Sequence, residues 1–234
     1  MNHAEEVAKF AAILEQKGLL SGIEGNISVI DRETGHIFIT PSRRMKLLLT
    51  PEDICVVDAN GEQIGGTGRR SSEFFLHEAI YRARPDVRAV VHSHSPYLTA
   101  YALRYEDLVV PETASIRGFF PRMVCLPFGQ PGTHEIHRGI ENALAQCPVC
   151  LLGGHGAVSV SGTLEDAAAL LCAALAALGG GVLAAAALAV FWRYHAVAKQ
   201  QFGGITGDLA GWFLQKAELW MLAALAACQW GGWL

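Results

Sequence analysis

Apolar positions along this chain change period several times, and the changes mark out its elements. In residues 5–17, Val7, Phe10, Ala11 and Leu14 recur at helical spacing, and Gly18 closes the run. Residues 26–30 and 36–40 are short and β-rich, and the polar turn Asp31-Arg32-Glu33-Thr34-Gly35 between them predicts a hairpin. A third strand is expected over 54–57, closed by Asp58-Ala59-Asn60-Gly61. Arg69-Arg70-Ser71-Ser72 then opens a helix from 73 to 83, with a serine as its N-cap and Pro85 past its end. Residues 87–91 read as a strand, and Pro96 starts a helix through 103. Residues 109–126 read as loop with some strand, and Thr133 caps a helix over 134–145. Strands at 149–152 and 158–160 flank a glycine-rich turn. Thr163 caps the next helix, with Asp166 completing an approximate capping box. Helices thus alternate with short strands, without repeat or linker, which argues a single α/β domain.

The C-terminal part tests that reading. Residues 167–192 carry no charge, a run long enough to span a bilayer. The run is mostly alanine, however, and Gly179-Gly180-Gly181 divides it into two helix-sized halves with no aromatic belt at both ends. A pair of buried helices is therefore expected rather than a membrane span. All 234 residues are read as one domain, with 176–234 an Ala/Trp-rich helical tail. The start, Met1-Asn2-His3-Ala4-Glu5-Glu6, is not a signal peptide.

Composition narrows the functional classes. At 51% hydrophobic and 17% charged residues, the chain should bury a real core. Its net charge is -4 with no basic block, which excludes a nucleic-acid partner. Six cysteines are scattered through mostly apolar runs, as expected for reduced thiols in a cytoplasmic protein. Cys147-Pro148-Val149-Cys150 lacks a second such pair and is read as structural.

Three histidines carry the chemistry. His92 and His94 lie at the end of the apolar stretch before Ser95, and side chains two apart in a strand share a face. His155, in Gly153-Gly154-His155-Gly156, follows a second apolar run and could complete a three-nitrogen site. Three protein ligands with an open position is the count of a catalytic zinc. Glu73 and the hydroxyls of Ser71 and Ser72 stand at a helix start, where a carboxylate could move protons and backbone N–H groups could meet an anion.

Five segments together carry a resemblance. They are Gly22-Ile23-Glu24-Gly25-Asn26-Ile27-Ser28-Val29, Ile39-Thr40-Pro41-Ser42, Ser71-Ser72-Glu73-Phe74-Phe75-Leu76-His77, Val90-Val91-His92-Ser93-His94-Ser95 and Gly154-His155-Gly156-Ala157. In order and spacing they resemble the class II aldolase/adducin family, and its fuculose-type aldolases most closely, over residues 5–175. The resemblance implies a three-layer domain with a central, mostly antiparallel sheet flanked by helices. It implies that His92, His94 and His155 hold zinc (manganese or iron would also suit), that Glu73 is the acid/base, and that Asn26, Ser42, Ser71 and Ser72 cradle a phosphate. The activity implied is cleavage of a ketose 1-phosphate, such as L-fuculose 1-phosphate, to dihydroxyacetone phosphate and an aldehyde. The alternative is a decarboxylase of an oxo or hydroxyaromatic acid, or a pentulose-phosphate 4-epimerase. A cytoplasmic homotetramer acting in carbohydrate metabolism is also implied, with a phosphorylated sugar or oxo acid as its small-molecule partner.

Two departures stand out. Arg43-Arg44 replaces the glycine that fuculose-type aldolases carry after Thr-Pro-Ser/Thr, and Arg43 could grip a phosphate or carboxylate. Pro111-Glu112-Thr113, with Phe119-Phe120 downstream, occupies the stretch where those aldolases place a tyrosine. His36, His77, His134, His137 and His195 show no partner spacing and read as surface or helix residues.

Overall fold

Asn2 caps the first helix, α1 (His3–Gln16). Its side chain accepts from the Glu5 N–H, and the Glu5 carboxylate accepts from the Asn2 N–H. Val7, Ala8, Ala11 and Leu14 are the buried stripe. Strands β1 (Asn26–Ile30) and β2 (Ile37–Ile39) form the expected hairpin, with Ser28 opposite Ile39. β3 (Cys55–Val57) pairs with β2, and β4 (Gln63–Gly65) adds an edge strand that the pattern does not predict. That strand is short and mostly exposed, so it has no apolar alternation to announce it.

The computed structural model describes residues 2–110 and 122–178. Residues 1–175 make one compact unit, and a second begins at Ala176. The tail beyond 178, expected to be helical, lies outside the described residues, with most of the uncharged run, His195 and Cys228. Pro111-Glu112-Thr113 and Phe119-Phe120 do so too. Among the described residues, no helix is long and apolar enough to cross a membrane. The five described cysteines are free, and Cys147 and Cys150 are buried.

The remaining strands are β5 (Ala89–Ser93), β6 (Leu108–Val109), β7 (Arg122–Leu126), β8 (Val149–Leu152) and β9 (Gly156–Ser161). All nine join one sheet in the order β4-β3-β2-β1-β5-β9-β8-β7-β6. Every pairing is antiparallel except β7 with β8. The helices that follow α1 are α2 (Phe74–Ala83), α3 (Pro96–Ala102), α4 (Ile140–Gln146) and helical residues 164–178. The fold is thus mixed α/β, a large, mostly antiparallel sheet flanked by helices.

One layer of core lies between α2, α4 and the sheet. Phe74, Leu76, Ile80, Ile140, Ala143 and Leu144 pack with Ile39, Val57, Val90, Cys150 and Val158. The alternate residues Ile27, Val29, Val91 and Leu151 are buried as well, so the sheet is covered on both faces. Arg32 closes the end of α2 by donating to the carbonyls of Tyr81, Arg84 and Val87.

Two local expectations are corrected. The N-cap of α2 is Glu73, not a serine, and its side chain makes no capping bond because it turns into the histidine cluster. Ser71 Oγ instead accepts the Glu73 N–H at 3.2 Å. The helix expected over 134–145 is interrupted at Gly139, whose φ of 84° separates a 3-10 turn (His134–His137) from α4. Thr133 does cap that turn, accepting from the Glu135 N–H.

Gly25 sets how closely β1 approaches β5. Its φ is +70°, and a Cβ there would stand 2.6 Å from Leu20 Cδ2 and 2.8 Å from the His92 carbonyl oxygen. A Gly25→Ala substitution will cost about 1–3 kcal/mol from the left-handed backbone and the forced displacement of β5. A urea midpoint equal to that of the unmodified protein would refute this.

Candidate active site

Register across three strands builds the centre. Asn26 on β1 lies directly opposite His92 on β5, and His92 lies opposite Val158 on β9. His94 stands one residue past the end of β5. The turn between β8 and β9 delivers His155. Gly154, with a φ of 65°, makes that turn, and a Cβ there would stand 2.6 Å from the Tyr105 hydroxyl. Backbone bonds from Gly153 to Leu126 and from Gly154 to Ala102, with the Thr99 hydroxyl on the His155 carbonyl, hold the turn against β7 and α3.

The three imidazoles converge. Ring centroids are 4.7 Å apart for His92–His94, 4.9 Å for His92–His155 and 4.7 Å for His94–His155. Glu73 reaches them from the start of α2. Its Oε2 is 3.2 Å from His92 Nε2, and its Oε1 is 3.0 Å from His155 Nε2. The donor atoms of Glu73, His92, His94 and His155 all lie within 4.8 Å of one another.

This donor set fits a divalent cation. His92 Nδ1 sits 3.0 Å from the Ala157 carbonyl, which can only accept, so Nδ1 carries the proton and Nε2 presents its lone pair. His94 Nε2 faces that lone pair at 2.8 Å. Two imidazole nitrogens held so close need a proton or a cation to bridge them. Burial acts to lower His92, but the Glu73 carboxylate outweighs it and raises that ring. His94 is pushed down to about 3 by desolvation, reinforced by His92 and His155. Imidazole nitrogens beside one carboxylate suit a divalent metal ion such as zinc. For Glu73, burial acts to raise the carboxyl, but His92 and His155 outweigh it and hold it far below the usual range. Glu73 is therefore ionised at neutral pH.

The other site residues form two groups. Ser42 donates its N–H to the Arg69 carbonyl at 2.8 Å, and Pro41 bridges to Arg70. These bonds tie the Pro41-Ser42 segment to Arg69-Arg70, the residues that lead into Ser71 and Ser72 before α2. Arg43 is exposed with a φ of 55°, a left-handed conformation that favours glycine. Arg44 is engaged by Asp53 at 2.8 Å. Asn26 is placed differently: its side chain is buried and turned toward Glu73 and His77, with Nδ2 2.7 Å from Glu73 Oε2.

Sequence reasoning missed two features. His77 does lie on a helix, α2, but it is fully buried and bonded to Asn26 and Ser28 rather than at the surface. Its signal was the spacing of four from Glu73 along one helix. Lys46, only 1% exposed, donates to the carbonyls of Ile23 and Arg44 at 3.1 Å each. Burial pushes it down to about 8, against the pull of Glu15, Glu24 and Glu73. The apolar run around it gave no sign of a buried charge.

Comparison with known proteins places these features. The sequence model described as class II aldolase and adducin N-terminal domain matches residues 5–178. A second, for cobalamin-5-phosphate synthase, matches 144–226. Where the two overlap, the described residues form the end of α4, β8, β9 and helical residues 164–178 of the fold above, and the rest of the second match lies beyond them. The chain is 32% identical over 164 residues to 5-deoxy-D-ribulose 1-phosphate aldolase of Bacillus thuringiensis serovar kurstaki, covering 70% of this chain and 76% of that one. It is 30% identical over 168 residues to 3-oxo-tetronate 4-phosphate decarboxylase of Escherichia coli K12, covering 70% and 78%. A solved L-fuculose 1-phosphate aldolase superposes with a TM-score of 0.71 at 27% identity, over 78% of this chain and 85% of that one.

Proposed function

This chain belongs to the class II aldolase and adducin N-terminal domain family, and we propose that it is a zinc-dependent lyase cleaving a ketose 1-phosphate to dihydroxyacetone phosphate and an aldehyde. The observation that carries this reading is the convergence of Glu73 on His92, His94 and His155, with every donor atom within 4.8 Å of the others. His92, His94 and His155 would hold the ion, and Glu73 would also reach it when no substrate is bound. Zinc so held supplies a Lewis acid for the carbonyl and hydroxyl oxygens of the substrate.

The chain's own residues do the rest. The ionised Glu73 takes the hydroxyl proton as the carbon–carbon bond breaks, and returns it to the carbon that the aldehyde leaves. Ser42, Ser71 and Ser72, with Arg43, form the proposed phosphate cradle, while the Asn26 amide is engaged by Glu73 and His77. N–H groups at the start of α2 would add to their hold on an anion. A cytoplasmic homotetramer with sites between subunits completes the proposal.

Arg43 favours a second reading. A guanidinium beside Ser42 suits a carboxylate as well as a phosphate, and one relative is named a decarboxylase. Product analysis separates the two. L-fuculose 1-phosphate and 5-deoxy-D-ribulose 1-phosphate should release aldehyde, chelation should abolish the release, and added zinc should restore it. Carbon dioxide from 3-oxo-tetronate 4-phosphate, with no aldehyde from either sugar, would transfer the assignment to the decarboxylase.

A further inference from the structure

Behind Glu73 runs a buried chain of polar side chains. Asn26 Nδ2 lies 2.7 Å from Glu73 Oε2, and Asn26 Oδ1 meets His77 Nε2. His77 Nδ1 is 2.6 Å from Ser28 Oγ, which is 2.7 Å from the Tyr81 hydroxyl. Asn26, Ser28, His77 and Tyr81 are all at most 5% exposed. Two periodicities make the chain. Glu73, His77 and Tyr81 recur every four residues at the start and along one stripe of α2, and Asn26 and Ser28 share one face of β1.

Donor counting assigns every proton. The Glu73 carboxylate accepts only, so the Asn26 NH₂ faces it and Asn26 Oδ1 faces His77. The flipped amide would set two acceptors against each other. Asn26 Oδ1 accepts only, so His77 Nε2 carries the hydrogen. Burial pushes His77 down to about 3, so the ring is neutral and Nδ1 is an acceptor. Ser28 then donates to Nδ1, and Tyr81 donates to Ser28. The Arg88 carbonyl, at 3.4 Å, is a weaker alternative for the Tyr81 proton.

We propose that His77 is a positioning residue: anchored by Ser28 and Tyr81, it fixes the Asn26 amide so that its N–H holds the Glu73 carboxylate in its working orientation. This rests on the reading of Glu73 as acid/base. Without the His77 donor, Asn26 Oδ1 is left without its buried partner, the amide is held by Glu73 alone, and its grip on the Glu73 rotamer loosens. The ion's imidazole donors are untouched, so turnover should fall while metal and substrate binding remain.

The test combines kinetics with a signal that needs no turnover. In the full-length zinc-loaded protein at pH 7, nitrogen NMR should show His77 neutral with the hydrogen on Nε2. His77→Leu should lower kcat about 10–100-fold on L-fuculose 1-phosphate or 5-deoxy-D-ribulose 1-phosphate, with KM and zinc content unchanged. His77→Gln restores a donor near the Nε2 position and should recover most of kcat. Ser28→Ala, a smaller truncation should His77→Leu not fold, ought to admit the Nδ1–H tautomer and lower kcat less.

An Nδ1–H or imidazolium form in the unmodified protein would overturn the proposal. So would a wild-type kcat in His77→Leu, or a loss of kcat accompanied by loss of zinc. If the unmodified protein turns over neither sugar, the assigned reaction fails. The tautomer of His77, and its response to Ser28→Ala, still decide whether the hydrogen-bond chain is ordered as described.

Discussion

Glu73→Gln will leave zinc bound and lower kcat by about 10²–10⁴-fold, the range for removing a general acid/base. The side chain is only 8% exposed and lies 3.0 Å from His155 Nε2 and 3.2 Å from His92 Nε2. Those two rings hold the carboxylate ionised against the burial that would protonate it. Glutamine keeps the shape and one acceptor but cannot take a proton. The histidine nitrogens remain, so metal content measured by elemental analysis should stay at the unmodified level. Undiminished turnover would remove Glu73 from the reaction, and a parallel loss of metal would make it chiefly a ligand.

His92→Ala will have the larger effect on the ion. His92 is fully buried between β1 and β9, with its Nδ1 hydrogen committed to Ala157 and its Nε2 aimed at the centre. Substitution removes a donor outright and leaves a cavity that the two neighbouring strands prevent from closing. Metal affinity should fall by more than the about 10–100-fold typical of a residue that only supports a ligand. Turnover should vanish under metal-limited conditions and return in part with excess zinc. Unchanged affinity in a competition titration against a chelator would exclude His92 from the metal site.

Much of the architecture was legible because it follows local periodicity. The helical stripe of α1, the hairpin of β1 and β2, and Pro96 at the start of α3 each carry a signal within a few residues. The capping of helical residues 164–178 is equally local: Asp166 N–H donates to Thr163 Oγ1 at 3.1 Å. The failures share a cause. β4 is too short and polar to alternate, and Gly139 divides a segment whose apolar positions still suit a single helix. Glu73 takes the N-cap position of α2 while its carboxylate goes to the histidines, a choice made by groups about 20 and 80 residues away along the chain.

By itself, the sequence determined which residue types could meet a metal and where. A period of two put His92 and His94 on one side, and glycines flanked His155. Tertiary structure alone decided that Asn26 turns to Glu73 and His77, that His77 is interior, and that Lys46 is buried on the carbonyls of Ile23 and Arg44. Those outcomes depend on strand register and on which helix lies over which face. A residue's partners across a sheet are set by hydrogen bonds between distant segments, and no local pattern encodes them.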